Sequence, residues 1–489
     1  MKTSRRDFIK ASAVAGAGFL VASGNFRKQA RASALESVAV AGVGVGGKGG
    51  GDITHAGYYG KVVALCDVDT NTLEGKHKEF KDAKTFVDYR DMYAEMMDKI
   101  DAVTVGTPDH MHAIITAAAI KAGKHVYTQK PLTRTIYEAR WLGELAKKHG
   151  VCTQMGNQGS VDDGLRKTAA QYRAGVVGEV KEVHVWTNRP IWPQGLTAKA
   201  AALRPSEAAL KPKELDWNLW IGTGAMRDYK TQYTEKDGYG WNLGVYHRFC
   251  WRGFRDFGTG AFGDMACHTM NLPFRGLELG RVTRAVCRQA EEANDVSYPV
   301  KSRVEVFYAP RKSRVRKGVT LPEVKLVWYD GNQQPPAELM PQVVATLGAV
   351  PKTGCLIIGS KGIMCSTNDY GQEAYIAMKE DKKVKSTLKH EACQGIASYI
   401  AVRSEKGTEG QYPEFADAVK GIGPVHEQPH SRCFSDIEHS IPMLEGMLVG
   451  CVAQMLPGPD HLWDADNRIF DSAAANMLVK PFIRSGWEF

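Results

Sequence analysis

The sequence predicts a two-domain protein, an α/β domain followed by an α+β domain, from three observations. The chain has 489 residues, enough to build two separate cores. Strands and helices alternate after residue 34, which is typical of a doubly wound parallel sheet. Beyond about residue 152 the pattern changes to alternating strands, followed by amphipathic helices near the end of the chain. We therefore expect an N-terminal signal segment (1–34), a first domain (35–152) and a second domain (153–489).

Composition and charge limit the class of protein. With 43% hydrophobic and 24% charged residues, the chain is typical of a soluble globular protein and not of a disordered one. The formal net charge is +9, but the first 34 residues supply +6 of it, which leaves only +3 for the rest. This small remainder does not support a nucleic-acid-binding surface.

The first 34 residues have the features of an export signal. Arg5 and Arg6 precede a modest apolar run, 11–23, which is the pattern of a twin-arginine signal. The run is shorter than the roughly 20 residues of a membrane-spanning helix. We therefore expect a periplasmic protein without a stable membrane anchor, cleaved near Ala32 or Ala34. The alternative is an amphipathic N-terminal anchor. The twin-arginine route exports proteins already folded, often with a cofactor bound.

The first strand runs directly into a glycine motif, Gly42-x-Gly44-x-x-Gly47. Such glycines allow a tight turn and close approach of the backbone to a pyrophosphate. The next strand ends at Asp67, 20 residues after Gly47. An acid there accepts hydrogen bonds from the ribose of NAD and repels the phosphate of NADP. Together these features predict an NAD site. The alternative, a glycine-rich surface loop, would not require Asp67.

A third predicted strand, 102–106, leads into the sequence Thr107-Pro108-Asp-His-Met-His112. A helix of small apolar residues (113–122) follows, and the next strand ends in Gln129-Lys130-Pro131. In doubly wound sheets, ligands bind at the carboxyl ends of the strands. Lys130 stands at such an end and is therefore a candidate functional residue.

These motifs, together with Ala122-Gly-Lys-His-Val126 and a later Asp-x-x-x-His, resemble the Gfo/Idh/MocA oxidoreductases. The resemblance implies a Rossmann first domain and a second domain built on an open, largely antiparallel sheet. It implies contact between Lys130 and a substrate hydroxyl. It also implies that NAD is held by the following residues: Gly42, Gly44, Gly47, Asp67, Thr107, Pro108, His112 and Gln129. The family usually has Glu before the Lys-Pro pair, so Gln129 is a departure from its pattern.

Asp264 and His268 lie four residues apart in a predicted helix that a glycine-rich turn opens. Residues at this spacing share one face of a helix. By itself the pair is compatible with a structural acid–histidine contact or with two ligands of a divalent metal, although two ligands do not define a metal site. The resemblance implies instead that they are catalytic, with His268 as a proton shuttle and Asp264 orienting it.

Aromatic residues are concentrated in 186–257, where they make up 13 of 72 positions and include six of the ten Trp. Trp186 is a candidate for stacking on a sugar face, and Arg189, His247 and Arg252 for binding hydroxyls or a carboxylate. Asn157 follows a strand end and is expected to reach the cleft between the domains. The alternative is an aromatic core or an oligomer interface. We expect the protein to be a homo-oligomer, a dimer or tetramer.

An exported dehydrogenase has no pool of NADH to draw on, so we expect NAD to stay tightly bound and to be restored in each turnover. Two reactions satisfy this condition. Transient oxidation of a sugar ring hydroxyl, at carbon 3, allows elimination at carbon 1, hydration and reduction, which together cleave a glycoside. Hydride transfer from one sugar to another, as in glucose–fructose oxidoreductase, cleaves no bond. A third possibility is a non-catalytic sugar-binding protein.

Overall fold

The computed structural model describes residues 37–488 apart from 241–242, 399–408 and 423–432. The predicted twin-arginine segment lies outside the described residues. Two large sheets organise the described residues.

The first sheet has six strands in the order β3-β2-β1-β4-β5-β6, and every pairing between them is parallel. The strands are β1 (Val38–Val43), β2 (Gly60–Cys66), β3 (Lys84–Phe86), β4 (Ala102–Val105), β5 (His125–Gln129) and β6 (Thr153–Gly156). The helices between them are α1 (Gly47–Gly57), α2 (Thr70–His77), α3 (Tyr89–Met96), α4 (Asp109–Lys121) and α5 (Ile136–His149). The strand order reverses at β1 and β4, which is where a doubly wound sheet opens its ligand crevice. The prediction of a doubly wound parallel sheet is confirmed.

The boundary predicted at residue 152 is too early. Strand β6 begins at Thr153 and pairs in parallel with β5, so it belongs to the first sheet. The first domain therefore extends through Gly156. A single extra strand could not be assigned to either domain from its sequence, because its pairing partner decides where it belongs.

The second sheet has ten strands in the order β16-β15-β14-β13-β7-β12-β9-β8-β17-β18. Among these described strands only β7 and β12 pair in parallel, so the predicted largely antiparallel sheet is confirmed. The strands are β7 (Val180–Trp186), β8 (Val282–Glu291), β9 (Lys301–Tyr308), β12 (Val324–Tyr329), β13 (Gly354–Gly359), β14 (Gly362–Ser366), β15 (Ala374–Met378), β16 (Lys385–Ser386), β17 (Asp460–Asp464) and β18 (Ile469–Phe470). A separate small hairpin is formed by β10 (Arg311–Lys312) and β11 (Thr320–Leu321).

The second half of the chain contains nine described α-helices. They are α6 (Asp163–Ala174), α7 (Gly195–Ala202), α8 (Trp217–Ile221), α9 (Gly260–Thr269), α10 (Asn271–Gly276), α11 (Pro341–Leu347), α12 (Gln411–Val419), α13 (Ile437–Met455) and α14 (Ala473–Asn476). Helix α13 packs on β8 and β9 of the second sheet and on α5 of the first domain. Helix α12 packs on α1, next to the glycine motif. The C-terminal helices thus complete the first domain as well as the second.

In the aromatic segment (residues 186–257), the buried rings that follow Trp186 form a small core of their own. Most of the described rings are buried, with Trp192 and Trp220 2% and 4% exposed, and Trp217 stacks on Trp220 at 4.8 Å. The sequence was compatible with rings that stack on a sugar and with an aromatic core. The structure shows an aromatic core. The role of these rings is structural. Their burial stabilises a segment whose described residues contain only two short α-helices.

The described residues contain no helix long and apolar enough to cross a membrane. The ten cysteines all lie in the described part of the chain, where they form no disulfide with one another, and nine of them are buried.

Candidate active site

The glycine motif forms a cradle between β1 and α1. Gly44 has a φ of 74°, and a Cβ there would lie 2.7 Å from the backbone nitrogen of Thr107, so only glycine fits. At Gly47, by contrast, no atom lies within 4 Å of the position of a Cβ, which leaves open space above the helix N-terminus. The Thr107 hydroxyl beside this loop is buried and has no hydrogen-bond partner. A turn, an open helix N-terminus and an unpaired hydroxyl together fit the pyrophosphate and ribose of a dinucleotide.

Asp67 follows β2 and faces the same loop. Its carboxylate accepts hydrogen bonds from the backbone N–H of Val45 at 2.9 Å and of Asp69 at 3.0 Å. A carboxylate has about four acceptor positions, so capacity remains for ribose hydroxyls. Burial raises the pKa of Asp67 to about 6, against the lowering effect of the backbone N–H groups. The geometry matches the role that the sequence predicts for this acid.

Replacing Asp67 with Asn is expected to weaken NAD binding and to remove its pH dependence between about pH 5 and pH 7.5. The carboxyl becomes protonated as the pH falls through about 6, so the unmodified protein should lose affinity for NAD at the acidic end. The amide of the variant has no proton to take up over this range. Isothermal titration calorimetry with NAD and NADP at both pH values measures this. Tighter binding of NADP than of NAD by the unmodified protein would contradict the assignment.

Lys130 lies where the two domains meet. Its Nζ is 3.0 Å from Asp264 Oδ1 and donates a second hydrogen bond, also 3.0 Å, to the backbone oxygen of Asp264. Arg252 Nε lies 3.4 Å from the same carboxylate oxygen. Burial raises the pKa of Asp264, but Lys130 and Arg252 outweigh it and hold that pKa below its usual value. The carboxylate therefore stays ionised and holds the Lys130 ammonium in place.

His268 is 4% exposed on the same helix as Asp264, and its hydrogen-bond partner is Asn157. Asn157 donates its Nδ2 to the carbonyl oxygen of Cys267 at 2.7 Å, so its Oδ1 faces His268 Nδ1 at 3.2 Å. An amide oxygen only accepts, so Nδ1 carries the ring proton and Nε2 is left as an acceptor. Orientation of the imidazole thus comes from Asn157, where the sequence-based expectation was Asp264. Spacing along a helix could not show this, because the partner comes from another part of the chain.

The charge around His268 favours its neutral form. Burial, followed by the nearby charge of Lys130, brings the pKa of His268 well below its usual value, with Asp264 acting in the opposite direction. The positive charges of Lys48 and Arg189 make smaller contributions to this lowering. A neutral imidazole beside a paired ammonium is suited to accept a proton from a hydroxyl near pH 7.

Two residues of this cleft were not singled out from the sequence. The ring of Tyr370 meets His268 edge-on at 5.0 Å. Asp109 is 2% exposed, accepts a hydrogen bond from Thr259 at 3.0 Å and has a second oxygen without a partner. Burial and the charge of Asp264 raise the pKa of Asp109 to about 8. Asp109 lies within the Thr-Pro motif, so its position was a usable signal, whereas nothing in the sequence indicated Tyr370.

Arg189 and Arg252, both predicted to bind substrate, lie at this cleft. Arg189 Nη2 is 3.9 Å from Asp369 Oδ2, and its charge acts on His268. The guanidinium of Arg252 lies 4.4 Å from the rings of Phe249 and Trp251.

Pro108, predicted to contact the cofactor, lies in the loop after β4. It is half-buried and immediately precedes α4.

Trp186 does not line the cleft, which corrects the prediction that it stacks on a sugar. Its side chain is fully buried in a cluster with Val327 and Tyr329, and its indole N–H donates to the Pro351 carbonyl at 2.7 Å. The alternation of a strand puts successive residues on opposite faces, and Trp186 falls on the packed face.

His247 is also placed elsewhere than predicted. Its Nε2 lies 3.8 Å from Asp69 Oδ2, two residues beyond Asp67, and so at the cofactor domain. No contact in the described residues connects it to His268.

His112 and Gln129 belong to the framework of the cofactor domain, since their polar atoms contact protein groups. Both ring nitrogens of His112 face carbonyl oxygens, of Pro131 at 2.8 Å and of Thr107 at 2.7 Å, and the side chain is buried. His112 therefore braces the loop after β4 against the loop after β5. Gln129 donates to Asp52 through its Nε2 at 2.7 Å. The sequence predicted that both residues contact the cofactor directly. Their hydrogen bonds to protein groups indicate a supporting role instead.

Within the parts of the chain that the structure describes, no group of three or more His, Cys, Asp or Glu side chains is arranged to hold a metal ion. Asp264, whose carboxylate is engaged with two cations, and His268 do not form such a group.

Comparison with known proteins identifies the first domain. Residues 37–157 match the family model GFO_IDH_MocA, which is described as an oxidoreductase family with an NAD-binding Rossmann fold. This confirms the resemblance found in the sequence and the assignment of an NAD-binding domain.

Named relatives match over limited lengths. A glycosyl hydrolase family 109 protein of Solibacter usitatus is 31% identical over 174 residues, 32% of this chain and 39% of its own length. An inositol 2-dehydrogenase of Acidothermus cellulolyticus is 29% identical over 172 residues, 35% of this chain and 48% of its own length. The chain thus matches less than half the length of either relative.

The fold extends over most of the chain. The crystal structure of an inositol dehydrogenase homolog from Azotobacter vinelandii, complexed with NAD+, superposes with a TM-score of 0.55 at 17% identity. The superposition covers 87% of this chain and 97% of that one. At this identity the likeness shows a shared two-domain fold.

Proposed function

We propose that this chain, whose residues 37–157 carry the NAD-binding domain of the Gfo/Idh/MocA oxidoreductases, is an NAD-dependent oxidoreductase that acts on a ring hydroxyl of a sugar or glycoside. The observation that carries the proposal is the contact of Lys130 with Asp264, 3.0 Å between Nζ and Oδ1. It brings the lysine at the carboxyl edge of the cofactor sheet to the helix that holds His268. A proton acceptor and a cation therefore meet beside the predicted nicotinamide position.

Bound NAD supplies a hydride acceptor, and the residues of the chain handle the proton. His268 Nε2 is the unprotonated ring nitrogen, and the Lys130 ammonium is fixed near it by Asp264. His268 Nε2 accepts the hydroxyl proton as hydride leaves the same carbon, and the positive charge of Lys130 stabilises the negative charge that develops on the oxygen. General acid–base groups of this kind typically contribute about 100- to 10,000-fold to the rate.

We further propose that the oxidation is transient and leads to glycoside cleavage. A ketone at carbon 3 acidifies the proton on carbon 2, whose removal expels the group on carbon 1 as an alcohol. Water then adds to carbon 1, a proton returns to carbon 2 and the hydride returns to carbon 3. The net reaction is hydrolysis, and no external oxidant is consumed. The family 109 relative favours this version over hydride transfer between two sugars.

Packing of the aromatic segment supports a cofactor that stays bound. Asp216 N–H donates to the carbonyl of Val68 at 2.9 Å, directly after Asp67. Farther along, the Trp220 carbonyl accepts from His110 Nε2 at 3.1 Å, in the first turn of α4. The segment thus spans the loops that follow β2 and β4, between which the dinucleotide would lie.

Two measurements test this proposal. Native mass spectrometry of the purified protein should show NAD that survives buffer exchange. Turnover of a glycoside panel in D2O should then place deuterium on carbon 2 of the released sugar. Release of a sugar without deuterium would refute the elimination step, and oxidation of one sugar with reduction of another would establish the sugar-to-sugar reaction.

Export to the periplasm is a separate proposal that the sequence alone supports. Changing Arg5 and Arg6 to Lys should retain the protein inside the cell, because the twin-arginine route reads both arginines. Activity of the purified variant should be unchanged, which serves as the control. Cell fractionation with immunoblotting measures the distribution, and normal export of the variant would contradict the proposal.

A further inference from the structure

A buried polar network links the glycine-motif helix to Lys130. Its centre is Asp52 in α1, whose side chain is 1% exposed. Asp52 Oδ1 accepts from Lys48 Nζ and, at 2.7 Å, from the Tyr412 hydroxyl. Its other oxygen, Oδ2, accepts from Gln129 Nε2 at 2.7 Å. Both carboxylate oxygens are therefore engaged, each with a different set of donors.

This arrangement fixes the direction of the Gln129 amide. Because Asp52 only accepts, the NH₂ end of the amide must face it, and the oxygen must face the other way. That oxygen accepts the backbone N–H of Lys130 at 3.3 Å. A Cβ on Gly156 would lie 2.5 Å from Gln129 Nε2, so the amide occupies the space that a side chain at position 156 would need, and Gln129 is buried.

The network also receives a residue from the C-terminal half. The Tyr412 ring stacks on His55 at 4.9 Å and on Tyr127 at 5.6 Å. Helix α12 thereby anchors Asp52 from outside the first domain.

We propose that Asp52 is a positioning residue for Lys130, acting through the Gln129 amide, and that Lys48 and Tyr412 hold its carboxylate in place. The inference rests on the proposed function, in which the positive charge of Lys130 stabilises the substrate oxygen. Lys130 is then held at both ends, with its backbone tied to the glycine-motif helix and its ammonium tied to Asp264. Its distance from the cofactor is set by these two attachments.

Exchanging the acid and the amide tests the network. In Asp52→Asn, the NH₂ group of the introduced amide faces the NH₂ group of Gln129, so two donors meet. If the Gln129 amide flips, its NH₂ group faces the backbone N–H of Lys130, and two donors meet there instead. In Gln129→Glu, two carboxylates face each other in a buried site.

The double variant, D52N with Q129E, restores the pattern with the two groups exchanged. The oxygen of the introduced amide still accepts from Lys48 and Tyr412, and its NH₂ group donates to the introduced carboxylate. That carboxylate in turn accepts the backbone N–H of Lys130. Every hydrogen bond and the total charge of the network are therefore regained.

We expect each single variant to lower kcat about 10- to 100-fold, since displacement of a reacting group by about 1 Å costs on that order. The double variant should recover to within about threefold of the unmodified protein, a coupling that independent sites do not show. KM for the sugar and Kd for NAD should change less than about threefold, because neither group binds the substrates. A double variant no faster than the single ones would overturn the proposal, as would single variants that lose NAD binding and melting temperature while keeping kcat.

A second measurement does not depend on the sugar. Competitive labelling with acetic anhydride reports the reactivity of the Lys130 amine relative to Lys213, whose side chain is 93% exposed. Both single variants should change this ratio, and the double variant should restore it; a ratio that is the same in all four proteins refutes the network. If the unmodified protein turned over no sugar, the proposed function would fail, and the labelling would still decide the role of Asp52.

Discussion

Replacing Lys130 with Met is expected to lower kcat about 100- to 10,000-fold, the loss typical of a missing acid–base group. Methionine keeps most of the volume of the side chain but has no ammonium group to stabilise the substrate oxygen as its proton leaves. The change also leaves Asp264 without its nearest cation, although Arg252 remains 3.4 Å away. Binding of NAD should persist, since the glycine motif and Asp67 are untouched.

Steady-state kinetics with the sugar and calorimetry with NAD separate these two effects. Lys213→Met is the matched control, because the same substitution there removes an amine that is 93% exposed and whose nearby carboxylate is Glu214, at 3.9 Å. Near-normal turnover by the Lys130 variant would refute its assignment to the reaction and favour a non-catalytic sugar-binding protein.

Replacing His268 with Ala is expected to cost about as much as replacing Lys130, because the unprotonated Nε2 is lost. If the two residues act as one relay, the double variant should cost much less than the product of the single effects. Burial and the charge of Lys130 keep the pKa of His268 well below its usual value. The ring therefore stays neutral through the neutral range, and any loss of its contribution in the unmodified protein should occur only at acidic pH.

A pH–rate profile from about pH 5 to pH 9 for the unmodified protein, the two single variants and the double variant measures this. His149→Ala, at the end of α5, is the control for removing a histidine elsewhere in the first domain. Fully multiplicative losses would show that Lys130 and His268 act independently.

Local sequence was sufficient for the regular elements. Strands β7 (Val180–Trp186) and β12 (Val324–Tyr329) lie in the region where the sequence predicts alternating strands, because each is a short apolar run with β-branched and aromatic residues. The glycine motif and Asp67 were also recognisable, since a tight turn and an acid at a strand end need only neighbouring residues. The two-sheet organisation follows from the order of such elements.

Pairing across the chain was not predictable from these patterns. Strand β6 belongs to the first sheet because it pairs in parallel with β5. Residues 411–419 have the pattern of an amphipathic helix, yet only folding placed Tyr412 on Asp52.

For the site, the order of residues established which side chains were available: Lys130 at a strand end, and Asp264 and His268 one helical turn apart. Folding selected their partners. Asp264 pairs with Lys130 and Arg252. His268 is hydrogen-bonded to Asn157, and Trp186 is buried in a hydrophobic cluster. The physical reason is that residue type and spacing set what a side chain is able to donate, accept or bury. Which group it meets depends on contacts between segments more than 100 residues apart, such as Lys130 with Asp264 and Asn157 with His268.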